Sequence, residues 1–568
     1  MVFEFKIKYK LKGNQYMGDI NLCFIDGKEA LVESGTTIKK VIDTYKLDYT
    51  KEALLAKIDK DYYELNTKLE KGGRFEIVKL DSDIGAKTYA RSLQFVMIKA
   101  VYDLFEESKV NIEHSLSKGI YGEIDKKDPL NEKDLIAIRK RMKEIIDKDM
   151  VINKVSVTKE KAAKIFESYG MEDKLRLLRS IDNEEVKLYE LDGRYDYFYG
   201  PMVYSTGALQ IFELIYYKPG FILRFPESNN PKVIPKFVEH KKLAKIFAET
   251  EHWNSILEIG DVGALNDKVK SGDILELIRV AEALHEKKIA YIADMISEKE
   301  EAKIVLIAGP TSSGKTTFAN RLAIQLRVNG YIPVPISLDD YFIDRELTPK
   351  DENGDYDFES IEALDLELFN KDLNKLLRGE EISVPTFDFK EGKRRWAGNK
   401  VSMPKNGIII IEGIHGLNDK LTESINPNNK FKIYISALTQ LNIDNHNRIS
   451  TTDVRMIRRI VRDLLSRGYS GENTLSMWAS IRRGEEKNIF TFQEEADVMF
   501  NSTLVYELCV LKKYAIEELS KINDDSPVYY EALRLISFLN FFKEVDTNMV
   551  PENSILREFI GGSWFYKY

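Results

Sequence analysis

The sequence predicts a multidomain chain whose back half is an α/β domain, a parallel sheet with flanking helices, behind a small β-rich unit and an α+β unit. Three observations predict this. KIVLIAG (Lys303–Gly309) is a continuous apolar run of the kind buried on both faces of a parallel sheet, and it leads into a glycine-rich turn and a helical pattern. GIIIIEG (Gly407–Gly413) and KIYISA (Lys432–Ala437) repeat that run with helical segments between them, so right-handed crossovers are expected. At the start, Phe3, Phe5, Ile7 and Tyr9 alternate with Glu4, Lys6, Lys8 and Lys10, a period of two that suits a half-buried strand.

The elements follow in order. Gly13 and Asn14 offer a turn, and a second strand surrounds Leu22 and Phe24. Thr37 can cap a helix with Ile38, Val41, Ile42 and Tyr45 on one face. That order is compatible with a β-grasp over 1–66. The α+β unit spans 67–225. Phe95, Ile98, Val101, Leu104 and Phe105 form a helical stripe there, and GFILRFP reads as a strand. Residues 226–301 read as a helical connector, with amphipathic stretches at Leu243–Phe247 and Ile274–Ile296. The α/β domain takes 302–525, and a helical extension takes 526–568. Within it, IPVPISLD carries Pro333 and Pro335, which suit an edge or irregular strand rather than a central one.

The whole chain limits the function classes. At 568 residues it exceeds one ordinary core. Apolar residues make up 43% and charged residues 31%, a globular profile, and no apolar run approaches the ~20 residues needed to cross a bilayer. MVFEFKIKYK has no signal-peptide core, so a cytoplasmic protein with no membrane partner is expected. Cys23 and Cys509 alone give no disulfide framework, and six scattered histidines give no metal cluster. The net charge of −8 argues against DNA as a partner.

GPTSSGKT (Gly309–Thr316) carries the chemistry. Gly309 and Gly314 permit tight turns and close approach of backbone to phosphate. Amides from Thr311 through Ser312, Ser313, Gly314 and Lys315 to Thr316 point inward and meet the start of a helix that continues at Thr317, so anions are favoured. Lys315 reaches the outer phosphates, and the Thr316 hydroxyl is placed to ligate Mg²⁺. Gly309 and Thr311 to Thr317 are therefore the candidate ATP-binding residues. Glu412, at the end of the GIIIIE strand, is the candidate second metal ligand. In SLDDYF (Ser337–Phe342), Asp339 and Asp340 are carboxylates able to accept a hydroxyl proton as phosphorus departs. Further on, Arg455, Arg458 or Arg459, and Arg462 recur at helical spacing, an array suited to phosphate charge.

Residues from about 302 to 501 resemble the uridine kinase and phosphoribulokinase family of P-loop kinases. The resemblance implies ATP and Mg²⁺ as cofactors and a small-molecule acceptor, a nucleoside or sugar. By it, Asp339 is the catalytic base beside Lys315. Tyr341 and Phe342 wall the acceptor pocket with Asp340 at its edge, and Glu359 in DFESIEALD holds ribose hydroxyls. VPTFDF places Phe387 beside the base. VRMIRRIVRDLLSRG resembles the lid helix, with Arg459 facing the substrate and Arg462 and Arg467 the nucleotide. Uridine kinases read the pyrimidine with a tyrosine and a histidine; Phe387 and Gly392 stand at those positions here. Lys393, Arg394 and Arg395 follow, as an anionic acceptor would want. The implied reaction is phosphoryl transfer to a nucleoside 5′-hydroxyl. A kinase for another sugar or sugar phosphate, and a nucleotide-dependent RNA-binding or regulatory protein, are the alternatives.

The front half resembles threonyl-tRNA synthetases: 1–66 their TGS domain, and 67–225 their editing domain, on SLQFVMIKAV and FYGPMV. The editing histidines and cysteine align with Arg91, Phe95, Phe198 and Met202, which implies that editing chemistry is lost. tRNA or RNA contact by this half, and oligomer formation, stay open.

Overall fold

A computed structural model describes residues 19–47, 52–181, 183–350, 354, 356–388, 391–439 and 441–566, apart from the side chains of Ser466 and Arg467. The alternating Phe3–Tyr9 run and the turn at Gly13 and Asn14 lie outside the described residues. The chain forms two compact units. The first takes in the chain up to Glu239, Gly260–Ala264, and a segment ending at Arg448; the second takes in the rest.

The first unit begins with a mixed five-stranded sheet. Its order is Glu29–Glu33, Asp19–Phe24, Gly73–Val78, Leu55–Ile58, Asp61–Tyr63. Thr37 caps the Ile38–Thr44 helix as expected, its Oγ1 accepting from the Lys40 amide, and Ile38, Val41 and Ile42 are buried. The central strand is Gly73–Val78, parallel to Asp19–Phe24 and antiparallel to Leu55–Ile58. The sheet therefore runs past residue 66, where the sequence suggested a boundary. Its central strand follows a loop too irregular to announce it.

Behind it, Ser82 caps a long helix, Asp83–Leu104, on which Phe95, Ile98 and Val101 are wholly buried. A four-stranded sheet follows, ordered Glu213–Tyr217, Gly220–Arg224, Gly119–Asp125, Lys109–Leu116. This unit also buries a charge cluster. The Lys174 ammonium lies 2.9 Å from Asp196 and 3.0 Å from Asp444, and His446 Nδ1 lies 2.7 Å from Asp196. Burial alone would lower the lysine's pKa, but Asp196 and Asp444 outweigh it, and the ammonium titrates above its ordinary value. The Gln94 side chain donates to the His446 carbonyl and Asn442 donates to that of Ile112. The strand pair Asn442–Asp444 and Asn447–Arg448 thus belongs to the first unit, and the stretch expected as one α/β domain over 302–525 is interrupted there.

The second unit is built on a five-stranded, all-parallel sheet. Its order is Ile332–Ser337, Gly407–Glu412, Ile304–Ala308, Lys430–Ser436, Val498–Asn501. The three apolar runs seen in the sequence are its three inner strands, with Ile304 to Ala308 fully buried. Ile332–Ser337 is an edge strand, because Pro333 and Pro335 have no N–H to give a second neighbour. The two long helices expected in a connector, Lys241–Leu257 and Ile274–Glu298, pack into this unit instead. Arg321, on the Lys315–Val328 helix, pairs with Glu286 at 2.7 Å. The C-terminal residues pack here too, with Ile555, Leu556 and Phe559 buried.

Candidate active site

Ile304–Ala308 ends at Gly309, where a Cβ would come within 2.0 Å of the Ile435 carbonyl oxygen of the adjacent strand, so only glycine fits. The loop then turns through left-handed backbone at Ser312 and Gly314 (φ +57° and +83°) into the Lys315–Val328 helix. Gly314 caps that helix without a side chain, so its first-turn amides are left for an anion. Ser312 and Ser313 are buried beneath the turn. The Lys315 ammonium donates to the Gly309 and Pro310 carbonyls at 3.0 and 3.1 Å, folded over the loop's own backbone.

Two acidic strand ends face this loop. The Thr316 hydroxyl donates to Glu412 Oε1 at 3.4 Å. Burial, and then the charge of Asp339, push the Glu412 carboxyl up to about 7, with Lys315 pulling the other way. Burial lowers Lys315, against the opposing charges of Glu412, Glu558 and Asp339. Asp339 sits on the short turn Leu338–Tyr341, capped by Ser337, just past the Ile332–Ser337 strand. The register pairs Ser337 with Glu412, which brings the SLDDYF turn and the Glu412 strand end to one edge of the sheet. Thr316 and Glu412 supply oxygen donors only, which suits a hard cation. Among the described residues no cluster of three His, Cys, Asp or Glu could enclose a metal alone. The pair therefore fits Mg²⁺, which completes its shell with water and phosphate oxygens.

The acceptor side departs from expectation at several residues. Tyr341 does not wall a pocket. It is 1% exposed, its hydroxyl donates to Asp372 at 3.2 Å, and its ring meets Phe369 edge-on. Its neighbour Phe342 instead packs on Phe387, centroids 5.6 Å apart, and both are buried. Asp340 accepts from the Phe387 amide, and burial raises its pKa. Glu359 is pushed up to about 7 by burial and then by Glu485, while Arg459 and Lys315 oppose this. Gly392 turns at φ +69°, and a Cβ there would lie 2.7 Å from Arg345 Nε, so Arg345 fills the space a histidine would need. Arg394 donates to Asp365 at 2.8 Å, and Arg395 pairs with Glu391.

The arginine helix, Thr451–Arg462, is mostly buried and braces the loop rather than standing open above it. Arg455 Nε donates to the Thr311 carbonyl at 3.0 Å, and the same guanidinium pairs with Glu485, which in turn accepts from the Thr311 amide at 2.9 Å. Arg458 holds Glu507 through two nitrogens, at 2.9 and 2.6 Å, and donates to the Ser312 carbonyl at 3.3 Å. Arg459 reaches the Thr311 hydroxyl at 2.9 Å and Asp463 at 3.0 Å, and Arg462 lies 3.5 Å from Asp463. The Arg467 side chain is outside the described residues. Helical spacing flagged Arg455 and Arg458, but nothing local revealed their partners Glu485 and Glu507, which are distant in sequence.

In the first unit the four editing-like positions hold no catalytic set. Phe95 and Phe198 pack with their rings tilted and centroids 5.0 Å apart, Met202 joins the same core, and Arg91 donates to the Pro201 carbonyl at 2.8 Å.

Residues 304–507 match the model of the Phosphoribulokinase / Uridine kinase family. The front part is similar to threonine–tRNA ligases. It is 32% identical over 200 residues to that of Oceanobacillus iheyensis, covering 35% of this chain and 31% of the ligase. It is 29% identical over 267 residues to that of Halalkalibacterium halodurans, covering 44% and 41%. The chain thus spans only about a third to two fifths of the length of these curated relatives. Among solved structures, the D-glycerate 3-kinase of Cryptococcus neoformans is 16% identical with a TM-score of 0.22, covering 46% of this chain and 91% of that one. Over residues 304–507, a little over a third of the chain, the sequence matches the Phosphoribulokinase / Uridine kinase family model, behind a front part similar to threonine–tRNA ligases.

Proposed function

We propose that the second unit transfers the terminal phosphoryl group of ATP to the hydroxyl of a small molecule, a nucleoside 5′-hydroxyl in the first instance, in the cytoplasm. The observation that carries this is the meeting of Lys315, Thr316, Glu412 and Asp339 at the open end of a parallel sheet. Such a constellation serves a kinase better than a mechanical or switch NTPase, because it holds a candidate base as well as a phosphate cradle.

In this reading the amides from Ser312 to Thr317 bind the phosphates while that of Thr311 stays with Glu485, and Lys315 leaves the Gly309 and Pro310 carbonyls to meet the outer ones. Mg²⁺, when held by Thr316 and Glu412, neutralises phosphate charge. Asp339 takes the proton from the acceptor hydroxyl, and Arg459 and Arg462 steady the transferring group. Phe342 and Phe387 form the apolar floor beneath the acceptor, and Glu359 binds its hydroxyls. Asp340 orients the Phe387 strand. A phosphorylated acceptor is disfavoured, because Arg394 and Arg395 already pair with Asp365 and Glu391. The first unit serves packing rather than editing, since three of its four editing-like positions, Phe95, Phe198 and Met202, are apolar core and the fourth, Arg91, is bonded to the Pro201 carbonyl.

The test is a coupled ADP-release assay over nucleosides, free sugars and sugar phosphates. Turnover on a nucleoside supports the reading; ATP binding with no turnover on any of them sinks it. The Glu412 carboxyl gives a second check. Metal binding needs its charged form, so Mg²⁺-dependent ATP affinity is expected to climb from pH 6 to 8 and then level. Glu412→Gln loses both the affinity and the slope. The apo stability change has the opposite sign. A carboxyl raised from 4.5 to about 7 keeps its proton longer in the fold than in the unfolded chain, so its contribution to stability falls as pH rises through that window. Melting curves of wild type and Glu412→Gln should therefore diverge from pH 5 to 7.5, with the variant gaining.

A further inference from the structure

The loop's anion site already holds an anion from the chain itself. Glu558, in the short Arg557–Ile560 turn, is 7% exposed. Its Oε2 accepts from the Thr317 amide at 3.2 Å and from the Thr317 hydroxyl at 3.0 Å. The Tyr566 hydroxyl closes on the same Thr317 oxygen. Ile555 lies over the loop so closely that a Cβ on Gly314 would be 2.5 Å from its Cγ2. Phe559 sits under the Arg458 guanidinium, 5.0 Å from ring centroid to carbon. Among the described residues no lysine or arginine makes a direct ion pair with Glu558, and the cation whose field it shares is Lys315 of the same loop. A buried carboxylate is costly unless donors compensate, and among the described residues its side-chain oxygens accept from the phosphate-loop helix, at Thr317.

Thr317 is in the first turn of that helix. Its amide has no intrahelical acceptor and is one of the donors a bound phosphate would take. A carboxylate and a phosphate oxygen cannot share that one N–H, and their charges repel. We propose that Glu558 is an internal competitor of the triphosphate: the C-terminal residues 555–566 latch the loop, and nucleotide loading requires the Glu558 carboxylate to let go of Thr317. This rests on the reading that Gly309–Thr317 binds a triphosphate. The latch is tuned by how firmly Ile555, Phe559 and Tyr566 hold the turn in place, so whatever loosens the C-terminal residues would raise nucleotide affinity.

The test uses the full chain and a fluorescent ATP analogue with Mg²⁺, so no acceptor need be known. Glu558→Gln keeps the shape and one acceptor oxygen but removes the charge. It is expected to bind the analogue about tenfold more tightly than wild type. An affinity within twofold of wild type, or a weaker one, overturns the latch while leaving the nucleotide site standing. Absence of binding in both chains overturns the nucleotide reading and the latch with it. Glu558 also caps a helix, so a lower melting temperature is expected in either case and decides nothing. Hydrogen exchange on the wild-type chain gives an answer even if the variant fails to fold. Adding ATP should speed exchange across residues 556–566; unchanged or slowed exchange there overturns the proposal.

Discussion

Replacing Asp339 with Asn is expected to lower kcat by about 10²–10⁴-fold, the range in which a positioned general base contributes. ATP affinity should move only a few-fold, because in the proposed arrangement Asp339 serves the acceptor hydroxyl rather than the phosphates. Steady-state kinetics with the best acceptor and a direct ATP titration check this together. A kcat within tenfold of wild type removes Asp339 from the role. A further signature separates loss of the base from general damage. Asp339 is, after burial, the chief reason Glu412 holds its proton up to about 7. Without that charge Glu412 ionises at lower pH, so the rise of Mg²⁺-dependent ATP affinity begins at more acidic pH in the variant. Asp340→Asn, which leaves Asp339 in place, should show no such displacement.

The largest stability effect is expected at Arg458. Its guanidinium is wholly buried, bonded to both Glu507 oxygens, to Ser502 and to the Ser312 carbonyl. Arg458→Met leaves the Glu507 carboxylate buried and unpaired, which costs about 3–5 kcal/mol in comparable cases. Urea unfolding of the second unit's transition reads this out, and a loss under about 1 kcal/mol contradicts it. The double variant Arg458→Met with Glu507→Leu should recover much of the loss, since a buried pair exchanged for apolar groups of similar volume is often neutral. Nucleotide affinity should not recover with it, because the Ser312 carbonyl still lacks its donor and the loop is held less firmly.

What was legible in the sequence was local. GPTSSGKT needs only its own backbone, an apolar run before it and a helix after it, so its position and strand neighbours follow from short-range pattern. Pro333 and Pro335 likewise announced an edge strand through a missing donor. What was not legible came from partners distant along the chain. Spacing groups Arg455, Arg458 or Arg459, and Arg462 on one helical face but cannot say which of them turn inward. Glu485 and Glu507 decide that, and each reads in sequence as an ordinary helix-surface acid. Tyr341 sits beside two catalytic candidates, yet Asp372 draws it into the core. Glu558, some 240 positions after Thr317, carries no motif at all. The Gly73–Val78 strand was missed because both its partners, Asp19–Phe24 and Leu55–Ile58, are separated from it by intervening chain, so no tight hairpin turn stands next to it.

The excursion of the chain through Asn442–Arg448 bears on how this protein can be taken apart. Lys174 has Asp196 from its own stretch of sequence, but its second counter-charge, Asp444, and the imidazole that also holds Asp196 come from the segment just ahead of the arginine helix. A fragment stopping at residue 225 or 239 would carry the lysine and lose half its neutralisation, along with the Asn442 and His446 bonds to its strands and helix. Such a fragment is expected to be less stable than the whole unit, so its RNA binding, or lack of it, would say little about the intact molecule. A fragment starting at residue 302 would meanwhile expose an apolar and charged finger with no bed. Because the first unit closes only with residues that follow 439, a single cut in the chain cannot release either unit whole.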